Sequence, residues 1–251
     1  MLGSGSAWPI PRLGCECEQC TSSDPRDRRL RPSLLIDGRV LVDAGPDVYH
    51  QLQAAGGPVP EAVLLTHAHH DHSLGIHDMA KAGRPWLHCT KEAEAEVRRI
   101  FTQLNLRVIH LTPGVRIDLG DGLEAQAFDV QHDPRFRTMG FRIAQGGSSL
   151  VYAPDVGAAP DSKLARDADV LVIDGTSYDR PLSGHLSMVE GVEIAKRLRA
   201  RRTLFTHIGH RAGLQADLDA KLPEGFSVAY DGLELTVPEG SGTSGTGARG
   251  S

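Results

Sequence analysis

Between Thr66 and His72 the chain reads Thr-His-Ala-His-His-Asp-His, which puts His67, His69, Asp71 and His72 in the spacing H-x-H-x-D-H. Two imidazoles two residues apart can face one cation. The aspartate and histidine that follow can turn toward a second cation a few ångströms away, the arrangement of a two-metal hydrolytic site. An apolar run, Ala62-Val63-Leu64-Leu65, comes just before, and the pattern predicts a helix from Asp71 to Ala80 just after. The cluster therefore falls where a strand hands over to a helix, and a turn there aims several side chains into one cleft.

Other residues of ligand type stand at the ends of other predicted strands. His132 follows Leu123–Val130, Asp155 follows Ser149–Tyr152, and His207 follows Thr203–Phe205. Asp43 and Asp174 end strands as well, and read as carboxylates that orient ligand imidazoles. A second cluster lies near the start of the chain, where Cys15, Cys17 and Cys20 form C-x-C-x-x-C. Three thiolates need a fourth ligand to close a tetrahedral zinc site, and Cys89 and His210 are the candidates. Four protein ligands leave no room for water or substrate, so such a zinc is structural.

The elements that must position these groups follow from apolar periodicity. Leu34–Ile36 and Val40–Val42 flank Asp37-Gly38 as a hairpin, and a helix is predicted over Pro46–Ala55. Trp86–Cys89 reads as a strand and Lys91–Leu104 as an amphipathic helix. Strands are predicted at Arg107–Leu111, Val115–Leu119 and Leu123–Val130, then a hairpin of Gly140–Ala144 with Ser149–Tyr152, and a strand at Asp169–Ile173. Ser187–Arg199 reads as a helix opened by a capping box of Ser187 and Glu190. Leu214–Leu222 is a further helix, and Phe226–Tyr230 with Leu233–Val237 a last hairpin around Asp231-Gly232. Strands ending in histidine recur in both halves, which predicts two β layers with helices outside them, an αββα sandwich. Residues 1–238 read as one domain, and the Gly- and Ser-rich 239–251 as a tail that cannot build a core.

Bulk properties exclude several classes. A formal net charge of −5 provides no overall basic field for nucleic acid. The arginines at 26, 28, 29 and 31, and the basic run at 196–202, read as solvated surface. No apolar run approaches the roughly 20 residues that span a bilayer, and no signal peptide is evident. Clustered cysteines suit a reducing compartment. A cytoplasmic protein is expected.

At this point the chain resembles a known family. The cluster T-H-A-H-H-D-H with a later His, Asp and His at these intervals is similar to the metallo-β-lactamase fold. The resemblance implies that His67, His69 and His132 hold one divalent ion, that Asp71, His72 and His207 hold the other, and that Asp155 bridges them. Zinc and manganese both suit those ligands. His70 takes a variable position and should point away; His50, His77, His88 and His110 fit no slot. The opening G-S-G-S…L-G-C-E-C-E-Q-C followed by R-R-L-R-P-S narrows the likeness to cyclic-phosphate phosphodiesterases of the PhnP type. In that branch three cysteines and a late histidine bind a structural zinc, which implies His210, in Thr206-His207-Ile208-Gly209-His210, as the fourth ligand. It also implies that His185, just before a helix, assists the leaving group, while Asp71 serves the chemistry as a ligand.

The function implied is metal-dependent hydrolysis of a small phosphodiester, a ribose cyclic phosphate in its most specific form. The partners expected are that substrate and at most a second copy of the chain, with no membrane and no nucleic acid. The loops at 133–137 and 175–184 depart from the pathway enzyme, and Arg135, Arg137 and Arg180 within them are candidate phosphate contacts. The rival readings are a ribonuclease Z-like nuclease, a lactonase or thioesterase, and a non-hydrolytic protein like the PQQ-biosynthesis protein PqqB. The complete ligand set argues against the last.

Overall fold

In the computed structural model, which describes residues 1–180 and 182–237, twelve strands form two sheets. The first has the order β1 (Leu34–Ile36), β2 (Val40–Val42), β3 (Ala62–Leu64), β4 (Trp86–Cys89), β5 (Arg107–His110). The second runs β12 (Phe226–Val228), β11 (Arg202–Thr206), β10 (Val170–Asp174), β9 (Ser148–Ala153), β8 (Thr138–Gln145), β7 (Glu124–Val130), β6 (Arg116–Asp118). In each sheet parallel strands carry the ligand-bearing ends, β2-β3-β4 in one and β9-β10-β11 in the other.

Side-chain alternation explains why the sheets stack. Val40, Val42 and Leu64 from one, with Ala127, Phe141, Val170 and Val172 from the other, form the core between them. The residues interleaved with these, Leu41, Val63 and Leu65, point outward and are covered by Val48, Leu52, Ile76, Met79 and Val97 from helices. On the far side Leu171, Ile173 and Phe205 are covered by Met188, Val192, Ala195 and Leu198 of the helix Met188–Leu198 and by Leu218 of the helix Gln215–Lys221. The result is the four-layer αββα sandwich. The capping box of Ser187 is present, Ser187 Oγ accepting from Glu190 N at 3.2 Å and Glu190 Oε2 accepting from Ser187 N at 2.9 Å. Among the described residues no helix is long and apolar enough to cross a membrane.

Three local expectations are corrected. The helix over 71–80 is two short helices, His70–Ser73 and Ile76–Ala82. It breaks at Gly75, whose N donates to Ala44 O at 2.8 Å and where a Cβ would lie 2.2 Å from Gly45 O. The last hairpin does not form. Phe226–Val228 pairs in parallel with β11 instead, and Asp231 accepts hydrogen bonds from Ser4 N at 2.8 Å and Leu30 N at 2.6 Å, binding the N-terminal segment rather than turning a hairpin. Arg29 is not a solvated surface residue. It is 1% exposed and donates to Ser4 Oγ, Ala229 O and Gln215 Oε1. The tail at 239–251 lies outside the described residues.

Candidate active site and metal centres

The site sits at the strand ends of both sheets, and two relays of hydrogen bonds build it. After β2, Asp43 Oδ1 accepts from Thr66 N at 2.8 Å and Thr66 Oγ1 at 2.9 Å, and Asp43 Oδ2 accepts from His72 Nδ1 at 2.7 Å. Thr66 has one hydroxyl proton and gives it to Asp43, so its oxygen accepts from His67 Nδ1 at 3.0 Å. At the end of β10, Asp174 Oδ1 accepts from Thr176 N at 2.9 Å and Thr176 Oγ1 at 2.7 Å. Thr176 Oγ1 accepts from His207 Nδ1 at 3.0 Å, and Asp174 Oδ2 accepts from His185 Nδ1 at 2.7 Å. His132 Nδ1 donates to Gly184 O at 2.7 Å. In each of these five rings Nδ1 holds the proton, which leaves Nε2 facing the cleft.

His69 is reversed. Its Nδ1 lies 2.8 Å from His67 Nε2 and 3.2 Å from His132 Nε2. With Asp155 Oδ2, 3.3 Å from His67 Nε2, these atoms form one group of potential ligands. Asp71, His72, His207 and Asp155 form a second, with His72 Nε2 at 2.7 Å from Asp155 Oδ2 and His207 Nε2 at 2.9 Å from Asp155 Oδ1. Asp155 belongs to both.

The residues present fit two cations. His72 Nε2, His207 Nε2 and Asp155 Oδ1 are buried and without a hydrogen-bond partner among the described residues, although they face one another at close range. Burial alone would raise the pKa of Asp155, but the His207 and His72 imidazoles opposite hold it well below the usual carboxylate range. Asp71 is likewise held low against burial, chiefly by His72. His72, though buried, is driven well above the ordinary imidazole range by Asp155, Asp71 and Asp43. Protons on these rings balance a nest of buried carboxylates, a task that divalent cations perform once the protons leave.

Cys15, Cys17, Cys20 and His210 form a separate group, with the first two sulfurs each 3.2 Å from His210 Nε2. The backbone N–H of Cys20 lowers the pKa of the Cys17 thiol, favouring the thiolate that a metal requires. Ile208 N donates to Ser4 O at 2.8 Å, and Ser6 N to Ile208 O at 3.1 Å, so the N-terminal segment lies alongside the loop that carries both His207 and His210. Cys89 stands apart, fully buried, its thiol pushed up to about 12 by burial.

A cleft of about 510 Å³ opens over the paired groups, with His185, Asp133, Arg135 and Ser183 among its walls and Ala7 and Pro134 as its apolar side chains. The His185 ring stacks on His207, centroids 4.9 Å apart, and meets His132 edge-on at 4.8 Å. His70 joins neither ligand group and forms part of the cleft wall. Of the candidate phosphate contacts, Arg137 binds Asp129, and Arg135 reaches the cleft with its Nε and Nη2 engaged by Asp133. Arg180 is not part of the cleft wall. His110 pairs with Glu94 at 2.6 Å, and His88 is buried in its sheet. Sequence reasoning missed Thr66 and Thr176. A threonine directly before His67 and another before His207, at 66 and 206, were visible, but the second relay uses Thr176.

Residues 38–208 match the model of the β-lactamase superfamily domain. The chain belongs to that superfamily. Within this metallo-hydrolase superfamily, one similar solved structure is a diphosphatase from the PhnP family, 32% identical, covering 93% of this chain and 94% of the other with a TM-score of 0.82. The zinc-bound PqqB of Methylobacterium extorquens shares the fold at 23% identity and a TM-score of 0.79, covering 94% and 98% of the two chains. An octanoyltransferase of Porphyromonas gingivalis is 28% identical over 95% of this chain, which spans about half (51%) of that protein's length.

Proposed function

We propose that this superfamily member hydrolyses small phosphodiesters, with a cyclic phosphate of a ribose as the most specific form of the substrate. The observation that carries the reading is the convergence of two ligand groups sharing Asp155 beneath a polar cleft that also holds His185. His67, His69 and His132 would hold one divalent ion, zinc or manganese. Asp71, His72 and His207 would hold the other, with Asp155 common to both. The bound pair supplies the Lewis acidity and positive charge that attack on phosphorus requires.

The chain's own residues supply the rest. Asp174 Oδ2 accepts a 2.7 Å hydrogen bond from His185 Nδ1–H and so turns Nε2 to the cleft. Once protonated, His185 donates from Nε2 to the departing oxygen. Thr66 and Thr176 fix the tautomers of His67 and His207. Ser183 and Gly184 close the wall over His132. Likeness to a PhnP-family diphosphatase supports the choice of a phosphorus centre. Few apolar side chains line the cleft, which argues against the eight-carbon acyl chain that the name of the Porphyromonas relative implies. A third ion, zinc, at Cys15, Cys17, Cys20 and His210 would pin the N-terminal loop.

The test is a substrate panel run with zinc and with manganese, comprising bis(p-nitrophenyl) phosphate, ribose cyclic phosphates, linear phosphodiesters, pre-tRNA, lactones and thioesters. Phosphodiester turnover abolished by Asp155→Ala is the expected result. Faster turnover of a lactone, a thioester or pre-tRNA than of any small phosphodiester overturns the reading.

A further inference from the structure

Two histidines of the paired centre depend on neither relay: His132 gives its Nδ1 proton to Gly184 O, while His69 is turned the other way round. Its Nδ1 faces the cation position, so its Nε2 must carry the proton, and the opposite tautomer would point an N–H where a ligand lone pair is needed. A carboxylate lies beside that nitrogen at ion-pair rather than hydrogen-bond geometry. Asp133 Oδ2 lies 3.4 Å from His69 Nε2. Asp133 is itself held on both oxygens by Arg135, with Nε donating to Oδ1 at 3.0 Å, Nη2 to Oδ2 at 2.6 Å, and the backbone N to Oδ1 at 2.9 Å. The next residue, Phe136, sets its ring edge-on to His69 with centroids 4.5 Å apart, and its N donates to Asp133 O at 3.0 Å. The five residues His132–Phe136 thus offer one ligand of their own and enclose a second from another loop.

We propose that Asp133 is the positioning residue for His69, fixing its Nδ1-facing tautomer and ring tilt, and that Arg135 serves as the clamp on Asp133 rather than as a phosphate contact. The inference rests on the reading of His67, His69, His132 and Asp155 as a cation site. Orienting carboxylates of this kind set metal affinity by about 10–100-fold. The two cation positions do not share Asp133, so its loss should register at one of them.

The experiment titrates full-length wild-type protein, Asp133→Ala, Asp133→Asn and Arg135→Ala with zinc and with manganese against a competing chelator dye. The thermal midpoint of each metal-free form is measured in parallel. Asp133→Ala should weaken one of the two cation affinities by about 10–100-fold, leave the other within about twofold, and leave the metal-free midpoint unchanged. Asp133→Asn, which keeps an acceptor oxygen, should recover part of the loss, and Arg135→Ala should show a smaller loss in the same affinity. Both affinities within twofold of wild type in Asp133→Ala would overturn the proposal. So would a loss accompanied by an equal fall in metal-free stability, because the role would then be merely structural. A wild-type protein that fails to bind two cations beyond any zinc at the cysteine cluster overturns the paired-cation reading itself, a result distinguishable from either of these.

Discussion

Asp43→Asn tests the reasoning most sharply, because the structure separates its consequences. Asp43 is fully buried and adopts φ 63°. Asparagine tolerates that left-handed conformation, whereas alanine there adds about 1–2 kcal/mol of backbone strain and confounds the result. The amide oxygen of the variant can keep the Oδ1 contacts to Thr66 at 2.8 and 2.9 Å. The nitrogen that replaces Oδ2 meets His72 Nδ1, 2.7 Å away, donor against donor. His72 must lose this bond or reverse its tautomer and place an N–H at the cation position. A hydrogen bond to a charged group contributes about 1.5–3 kcal/mol. At about 1.4 kcal/mol per tenfold, that is roughly 10–100-fold in affinity, the range known for groups that orient metal ligands. Competition with a chelator dye should therefore show this loss for the cation of Asp71, His72 and His207, with wild-type circular dichroism. Both cation affinities within twofold of wild type in the folded variant would refute the claim that Asp43 sets the His72 tautomer.

Two further outcomes follow from other parts of the structure. In metal-free native protein at pH 8, iodoacetamide should modify Cys15, Cys17 and Cys20 and spare Cys89, whose thiol, pushed up to about 12, is about one part in 10⁴ thiolate there. Zinc should protect the loop cysteines and denaturant expose the fourth; mass spectrometry showing Cys89 labelled as fast as the others would contradict this. Gly209→Ala places a Cβ 2.4 Å from Thr176 O, the residue that supports His207. Overpacking of this kind costs about 1–3 kcal/mol, so the melting midpoint should fall by on the order of 5 °C, and an unchanged midpoint would show that the loop yields freely.

The layered fold was legible because it depends on alternation within single strands. Val40-Leu41-Val42 and Val170-Leu171-Val172-Ile173 each declare two buried faces, and two buried faces require a sheet covered on both sides. Strand partners were less legible. Asp37-Gly38 and Asp231-Gly232 look alike in sequence, yet the first turns a hairpin while the second gives its carboxylate to Ser4 and Leu30, more than two hundred residues away along the chain. The break at Gly75 has the same origin, since its backbone N–H is taken by Ala44 O, thirty-one residues back along the chain. In the cleft, motif spacing, strand-end position and the family resemblance singled out the histidines and aspartates that the structure gathers into overlapping groups around Asp155. They could not reveal what holds the other ring nitrogens. Thr66 is adjacent to its histidine, but Thr176 is thirty-one residues from His207 and Asp133 sixty-four from His69. Arg29 escaped for the opposite reason: it stands in a run of arginines whose adjacent member, Arg28, is exposed, and its own burial is decided by Gln215 and Ala229.

The two relays make the same frame serve unequal purposes. Each begins with an aspartate at the end of a parallel strand, passes through a threonine hydroxyl to one histidine, and uses the aspartate's second oxygen for another. In the Asp43 half both histidines face cation positions. In the Asp174 half His207 does so, and His185 takes the place that His72 occupies across the pseudo-symmetric frame. On the proposed reading this imidazole, which the structure also gathers with Asp155, Asp174 and His207, serves the leaving group instead of a cation. The same chemical change, aspartate to asparagine, should then have different signatures in the two halves: weaker ion retention from position 43, and slower turnover with poor leaving groups from position 174.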